Sequence, residues 1–592
     1  MRAARDFSTA CLLTSLLAAS CDGRPRSHLS TSGDSEPTTG PAIAVVDLSE
    51  GVPEESASGW LGLSPKATSI EDLIRELPHL ESDRDVRGVL VRLGTARFGL
   101  ARAEEIGTLL AAVATKHPLW CFADEYSNGT VSVAARACKR IWVPPATSID
   151  AIGLAAQTLY FHKLLADQLK LEVDFLQVGK FKGAEEPFTR DGPSPEARQS
   201  LESTLDSLRA AWLDGIHAGR PAIGATVAEQ GPYTPEEAKG YGLVDEVGYW
   251  DEARDSLEKA TGALRAEVRV GPGARSGQFG DILRTVMSEA AESAPLVVVR
   301  AVGAISMEGG GALGASDGIS AQHLIATLTR LERDVDVKAV VLRIDSPGGS
   351  ALASDLLWHA LMRIRGRKVL VVSIGDMAAS GGYYLASSGG VVFADEASIV
   401  GSIGVVGGKI AADRALQRFG VHAETFPAKT GDEAAAVRAA YDSLFVPWDD
   451  ATRDRVLATM TRIYELFLSR VSVGRGVPVA RVAESAEGRI FGGLEARKRG
   501  LVDEIGGLRE AIARARSLAH LSDDARVAVA GELRGVLGML SDDDSRAGAA
   551  TQPVTNLLGR TVAEMAPFVE TVVPLIDGES VMCALPFALT IR

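Results

Sequence analysis

Ser69 to Leu93 reads SIEDLIRELPHLESDRDVRGVLVRL, and Ser320 to Ile344 reads SAQHLIATLTRLERDVDVKAVVLRI. The two stretches align without a gap at a constant offset of 251, and eleven of the 25 positions are identical. In each, apolar residues recur at helical spacing, a polar turn follows, and a continuous apolar run closes the segment. That pattern predicts an amphipathic helix feeding a buried strand, twice. A repeat held at one offset over such a length marks an architecture written two times. The copies also end alike: AKGYGLVDEVG at 238–248 echoes ARKRGLVDEIG at 496–506.

Working outward, the repeat predicts two halves, 42–262 and 291–520. A Gly/Ser/Arg-containing connection (263–290) joins them, and an extension (521–592) follows. In the second half, predicted strands at Leu296–Val302, Ala339–Ile344 and Lys368–Ile374 alternate with helices near 320–333 and 351–364. Such alternation argues an α/β fold with largely parallel, buried strands. The 592 residues are 46% hydrophobic and 23% charged, which excludes bulk disorder, a collagen-like fibre and a multi-span membrane protein. Lys and Arg total 62 against 77 Asp and Glu, a net charge of −15. An acidic chain lacks the cationic footprint of a nucleic-acid binder.

Residues 1–20 read as an export signal: Arg2 and Arg5 precede the short apolar run Ala10–Ala19, which is too short to span a bilayer. Leu17-Ala18-Ala19-Ser20-Cys21 resembles a bacterial lipoprotein box, with Cys21 as the acylated residue, although Ala18 stands where leucine is usual. Residues 21–41 then form a flexible tether. Cys121, Cys138 and Cys583 have no metal spacing and are expected as buried thiols rather than a disulfide framework.

Glycine reaches 61 residues, and its informative members follow strands of the second half. Ala339–Ile344 runs into Asp345-Ser346-Pro347-Gly348-Gly349-Ser350. Adjacent glycines there let backbone N–H groups face outward, as an oxyanion hole requires. Lys368–Ile374 runs into Gly375-Asp376-Met377-Ala378-Ala379-Ser380-Gly381-Gly382-Tyr383, where Ser380 sits among small residues at a strand-to-helix junction. Gly401-Ser402-Ile403-Gly404 continues the pattern. In the first half, Arg97-Phe98 replace Gly348-Gly349 at the same offset, and Asn128 stands opposite Ser380. That half instead carries Gly179-Lys180-Phe181-Lys182-Gly183-Ala184-Glu185-Glu186-Pro187-Phe188. A lysine acts as general base only when neutral, which burial among apolar groups promotes. Lys182, between Phe181 and Phe188, is the candidate, and Lys180 is its competitor or a perturbing charge.

DSPGGS, MAASGGYYLA, GSIGV, VGKFKGAEEPF and the paired GLVDEVG/GLVDEIG resemble the signal peptide peptidase A family in its long, duplicated form, over about 42–520. The resemblance implies two tandem Clp-protease/crotonase-like domains and a Ser–Lys endopeptidase acting on cleaved signal peptides and similar hydrophobic peptides. It implies Ser380 as nucleophile and Lys182 as base. Oxyanion amides come from Gly348, Gly349 and Gly381, with which of the three point inward left open. It further implies a homotetramer at a membrane of the bacterial envelope, facing away from the cytoplasm, with no cofactor and no nucleic-acid partner. The family's long members commonly use a transmembrane helix where this chain carries Cys21. Two other readings share the fold: a non-catalytic scaffold, and an acyl-CoA hydratase-like enzyme needing the oxyanion loop but no Ser–Lys pair.

Decoys remain. Gly314-Ala315-Ser316-Asp317-Gly318 matches a nucleophile elbow in letters but sits in a glycine-rich loop well after its strand. Lys429 in FPAKTG is a distant alternative base. The nine histidines lack the spacing of a metal site, and His323 and His359 read as surface or packing residues. The extension holds the acidic run 541–544 and an apolar tail, expected to pack or to contact other copies.

Overall fold

Two parallel sheets with the same strand order carry the two copies. The computed structural model describes residues 40–54, 67–272, 274, 294–308, 318–426, 428, 433–530, 581–584 and 590–591. Cys21 and its flanks, Ser316 and the loop around it, Lys429 and the acidic run 541–544 lie outside the described residues.

The first sheet comprises β1 (Ala42–Asp47), β2 (Val86–Gly94), β3 (Leu119–Ala123), β4 (Arg140–Val143), β6 (Glu246–Val247) and β7 (Arg265–Val270), in the order β6-β4-β3-β2-β1-β7. The second comprises β8 (Leu296–Val302), β9 (Ala339–Ser346), β10 (Val369–Ala379), β11 (Val391–Ala394), β15 (Glu504–Ile505) and β16 (Val527–Ala530), paired β15-β11-β10-β9-β8-β16. All neighbours within each of these paths run parallel. The two GLVDE motifs thus supply matching edge strands. At the opposite edges, β7 lies in the stretch read as connection and β16 in the stretch read as extension. Their short, half-buried alternating patterns are weak signals until a sheet edge receives them.

Helices α1 (Ile70–Ser82) and α6 (Ala321–Arg333) keep the 251-residue offset, as do α2 (Leu100–Ala114) and α7 (Ala351–Arg365). Ser69 caps α1 by accepting the Asp72 N–H, and Ser320 caps α6 by accepting the His323 N–H. Each cap is worth about 1 kcal/mol. Strand β10 runs past the expected end at Ile374 to Ala379, because Met377–Ala379 pair with β12 (Ile399–Gly401).

Strand period divides the second sheet between two environments. Leu296, Val298, Ala339, Val341 and Val371 join the core of the first half, together with helix α9 (Leu508–Leu518). Val297, Val299, Val340, Leu342 and Val372 pack with residues of α6 and α7. The halves therefore stack front to back: the α1/α2 side of the first meets the α9 side of the second.

Cys121 on β3 and Cys138, the C-cap of α3 (Asn128–Ala137), form a disulfide with Cα atoms 5.7 Å apart. This corrects the expectation of free thiols. The chain leaves β3, turns through α3 and returns alongside, where Lys139 N–H donates to the Leu119 carbonyl. Sequence spacing alone carries no sign of that return. In the chain-entropy model a bridge closing so short a loop contributes about 3 kcal/mol.

A third, mixed sheet crosses between the halves. Strand β5 (Glu172–Val178) of the first half pairs antiparallel with β13 (Val405–Ala411) of the second, from Glu172 opposite Ala411 to Val178 opposite Val405. Buried Asp174 on β5 accepts the Trp448 N–H at 2.9 Å and pairs with Arg453.

Buried charge also joins the halves. Arg343 on β9 has no exposed side-chain surface, and reaches Glu54 at 2.8 Å and Glu105 at 2.6 Å, both from the first half. Glu54 pairs with Arg102 as well. Despite burial, Arg343 and Arg102 hold the Glu54 carboxyl below its usual range. Removing one partner of such a cluster strands a buried charge, at about 3–5 kcal/mol. Asp345, two residues beyond Arg343, behaves oppositely. Burial, with Asp376 and Glu54 nearby, raises its carboxyl to about 8.

The sign of the resulting pH dependence follows. Unfolded, Asp345 titrates near about 3.9. Between that value and about 8 only the folded state keeps the proton, so this contribution to stability falls as pH rises across the window. Asp345→Asn, which keeps an acceptor for the Met377 N–H (3.2 Å from Asp345 Oδ1), should therefore flatten the decline of Tm from pH 5 to 8. An unchanged or steeper decline in thermal melts across that range would show the carboxyl is already ionised.

Candidate active site

The crossing ladder delivers the lysine loop to the glycine-rich loops. Beyond Val178 the chain turns at Gly179, and Lys182 N–H donates back to the Gly179 carbonyl at 3.0 Å. Ser402, Ile403 and Gly404 immediately precede β13, so the register that sets Val178 opposite Val405 also sets Lys182 beside Ser402. Lys182 Nζ donates to Ser380 Oγ at 2.7 Å, to the Ser402 carbonyl at 2.9 Å and to Ser402 Oγ at 3.0 Å. Lys182, Ser380 and Ser402 are all fully buried.

Lys180 points elsewhere. Its ammonium sits 3.4 Å from Glu487 on a largely exposed side chain and lies over the Phe181 ring. The chain turns through 179–181 beyond the end of β5, and that turn, not strand alternation, sends Lys180 outward and Lys182 inward. Burial raises the neighbouring Glu185 carboxyl to about 7, while Lys182 pulls in the opposite direction.

Ser380 follows the last residue of β10 and stands at the N-cap of α8 (Gly381–Ala386) with φ 55° and ψ −113°. A non-glycine residue at positive φ is strained and is concentrated at functional sites. The turn is held by Ser380 N–H donating to the Gly401 carbonyl at 2.7 Å and by Tyr384 N–H donating to the Ser380 carbonyl at 2.8 Å. Ser402 shares the feature, at φ 53°. Its N–H donates to the Arg489 carbonyl.

The two glycine loops meet. A methyl group on Gly381 would lie 2.6 Å from Ser354 Oγ and 3.2 Å from both Gly348 Cα and Gly349 N. Gly349 itself runs against the Ile305 backbone. Only backbone fits between them, so the two loops pack backbone to backbone beside Ser380. Among the three glycines, Gly348 N–H already donates to Ser346 Oγ at 3.2 Å.

The first-half counterpart has become structural. Asn128 Nδ2 donates to the Gly153 carbonyl at 2.8 Å, and Asn128 Oδ1 accepts the Ile152 N–H at 3.1 Å. Residues 151–153 correspond to 402–404 at the repeat offset, so Ala151 stands where Ser402 does. A methyl on Gly129 would meet the Phe98 carbonyl at 2.4 Å, the equivalent of the Gly381–Gly349 approach. The nucleophile, the lysine support and the Gly348-Gly349 pair are thus replaced in this copy, while Gly129 keeps the glycine of Gly381.

Ser402 is the residue that reading the sequence passed over. It was visible only as a member of a glycine-rich run, and its signal lay in the comparison of copies, Ala151 against Ser402. His323 and His359 are exposed, and among the described residues no histidine hydrogen-bonds Ser380.

A lysine and two serines in hydrogen-bond contact beside closely packed glycine loops form a set suited to nucleophilic acyl transfer. Comparison with known proteins agrees. The model of peptidase family S49 matches residues 111–264 and 363–522, more than half of the chain and one region in each half. A Clp protease model matches residues 313–399. The tandem Clp-protease/crotonase-like architecture accords with the two parallel sheets. The chain is similar to Serine protease SPPA, chloroplastic, of Arabidopsis thaliana, at 28% identity over 65% of this chain. It spans 56% of that protein's length. It is also similar to Protease 4 of Haemophilus influenzae, at 29% identity over 78% of this chain and 75% of that protein. The putative signal peptide peptidase SppA of Enterococcus faecium is 27% identical over 39% of this chain and 66% of its own length.

Gly488 tests how tightly the lysine is held. Its φ is +86°, and a methyl there would stand 2.3 Å from Lys182 Cα. Gly488→Ala should displace the lysine and lower turnover of a peptide substrate by about 10²-fold, the usual consequence of an ångström-scale misplacement. The same substitution at Gly476, where a methyl meets open space, should leave turnover near wild type. Equal rates for both variants would refute the close-packed lysine.

Proposed function

The chain belongs to peptidase family S49, and we propose that it is a membrane-associated serine endopeptidase that degrades cleaved signal peptides and similar hydrophobic peptides with a Ser380–Lys182 dyad. The observation that carries this reading is the 2.7 Å contact between Lys182 Nζ and Ser380 Oγ, made by residues 198 positions apart in fully buried surroundings. A buried ammonium forfeits its hydration, so burial works toward the neutral amine that a general base must be. Lys182 then takes the Ser380 proton as Oγ attacks the peptide carbonyl. Ser402, through its carbonyl and hydroxyl, keeps Nζ aimed at Oγ. The backbone N–H groups of Gly349 and Gly381 hold the developing oxyanion, Gly348 N–H being engaged with Ser346. Lys182 returns its proton to the leaving amine, and water, activated by the same lysine, releases the acyl group from Ser380.

The substrate class draws support from the Enterococcus relative, named a putative signal peptide peptidase. Membrane association is assigned to an acyl chain on Cys21, on the bacterial envelope and facing away from the cytoplasm. Among the described residues no helix is long and apolar enough to cross a membrane. The Cys121–Cys138 disulfide suits an oxidising compartment. The acyl-CoA and scaffold readings have no use for a buried Ser–Lys contact.

The homotetramer is what the family resemblance implies, and quasi-equivalence of the two halves supports a contact between copies. Ala101 and Glu105 on α2 are buried against the second half, where Glu105 accepts the Leu508 N–H at the start of α9. Their counterparts on α7, Leu352 and Leu356, are 59% and 38% exposed. The counterpart of α9 in the first half is α5 (Trp250–Thr261), preceded by exposed Tyr249. A second copy stacking its first half on α7 would repeat the internal contact, and such a head-to-tail contact gives a closed ring where its rotation closes.

Two measurements address this reading. A fluorophosphonate probe should label the wild type, fail to label Ser380→Ala or Lys182→Met, and label Ser402→Ala about 10-fold or more slowly. Equal labelling of the wild type and the dyad variants would sink the mechanism. For assembly, light scattering should give a tetramer for the wild type and smaller species for the Leu352→Glu/Leu356→Glu double variant. An unchanged mass would rule out the α7 face as the contact.

A further inference from the structure

Between the oxyanion strand Gly348–Ser350 and β13 lies a strand from far along the chain. Val581–Ala584 pairs antiparallel with both neighbours: Gly348 opposite Ala584, Gly349 opposite Cys583, Ser350 opposite Met582 on one side, and Val406 opposite Met582, Gly407 opposite Val581 on the other. It also lies against α7 and α8, the helix that follows Ser380. Met582 is 2% exposed and packs against Ala184 and Val406, two residues from Lys182 in one case and four from Ser402 in the other.

This is where an extended peptide would have to lie to present a carbonyl to Ser380. Peptides that add a strand to a sheet take main-chain hydrogen bonds on their edges and place alternate side chains in pockets. The slot offers both edges, one of them the strand carrying the proposed oxyanion amides. Ser380 and Lys182 are at the same time completely buried, so a substrate cannot reach the nucleophile while the surroundings keep this arrangement. The residues 581–584 fall beyond both regions that match the peptidase family, the second of which ends at 522.

We propose that residues 581–584 are a built-in occupant of the slot that binds extended peptides beside Ser380, with Met582 filling a side-chain pocket walled by Ala184 and Val406. The inference rests on the serine-peptidase reading. The segment competes with substrate as a tethered ligand. The pocket, apolar and closed by small or β-branched residues, selects an unbranched apolar side chain at the corresponding position of a substrate. A tethered segment acts at an effective concentration of the order of 1 mM, so one of about 0.1 mM intrinsic Kd would lower access about tenfold.

The test uses the full chain. In Met582→Asp, a carboxylate must enter the buried pocket, and the strand should leave the slot. Amide hydrogen exchange of 348–350 and 405–407 should then rise, and fluorophosphonate labelling of Ser380 should quicken about tenfold. Met582→Leu, which suits the pocket, should keep wild-type protection and slow labelling, and it reports that the change is not general unfolding. The synthetic peptide ESVMCALP (579–586) added to Met582→Asp should restore both protection and slow labelling. Exchange and labelling unchanged in Met582→Asp would overturn the proposal. The two readouts separate the layers of the argument: exchange responds to the strand even if Ser380 proves unreactive, whereas labelling that survives Ser380→Ala would indict the dyad alone.

Discussion

The pairing of β5 with β13 is the interaction on which the site depends. It is a seven-rung antiparallel ladder between strands of different halves, and the loops leaving its end carry Lys182 on one side and Ser402 on the other. Because side chains alternate along a strand, a slip of one residue would reverse which of them face each other. The register therefore sets the loop that carries Lys182 beside Ser402, and the turn at Gly179 then sends Lys182 inward and Lys180 outward. Helix α4 (Pro195–Gly219), which follows the lysine loop, reinforces the joint: Thr204 Oγ1 donates to the Ile490 carbonyl and Ser200 Oγ accepts the Ile490 N–H, on β14 (Ile490–Gly492) beside Gly488.

The ladder would be worth little if the halves could rock. Front-to-back stacking prevents this by joining one face of the second sheet, with α9, to the first half's core, and by enclosing Arg343 between Glu54 and Glu105. Apolar burial supplies the free energy, since it is roughly proportional to area and indifferent to direction. The charges supply direction: a misaligned stack would strand a guanidinium and two carboxylates without water. Duplication followed by divergence accounts for the division of labour. One copy kept the nucleophile turn and lost its counterpart of the lysine loop's role, while the other put an amide side chain, Asn128, where a reactive hydroxyl had no partner.

Much of this was legible in the residues. The repeated helix–turn–strand at 69–93 and 320–344 announces α1–β2 and α6–β9 because hydrophobic period reports burial directly. The GLVDE motifs mark matching ends of the two copies, and the replacement of Gly348-Gly349 by Arg97-Phe98 identifies the copy without the oxyanion loop. Ser380 and Lys182 stand out as chemistry-bearing residues in glycine-containing segments at the ends of predicted elements. What stayed hidden is what depends on two distant segments at once. Ser402 looked like one more member of a glycine run. Cys121 and Cys138 gave no sign of facing each other. The edge strands β7 and β16, and the strand 581–584, are short and weakly patterned, so only the sheets that receive them make them strands.

The sequence by itself determined that one α/β fold occurs twice, which copy retains a nucleophile turn, and which segment carries the leading candidate for a base, with Lys180 and Lys182 both in it. Those are local properties, set by periodicity, by turn chemistry and by direct comparison of the copies. The tertiary structure decided that the serine and lysine touch, that Ser402 supports the lysine, that a disulfide closes β3 to α3, and that the chain fills its own slot beside the oxyanion strand. Each of these is a contact between residues far apart in the chain. Its existence turns on strand register and on the stacking of two sheets, and a change of a few ångströms in either, invisible in the order of residues, would abolish it.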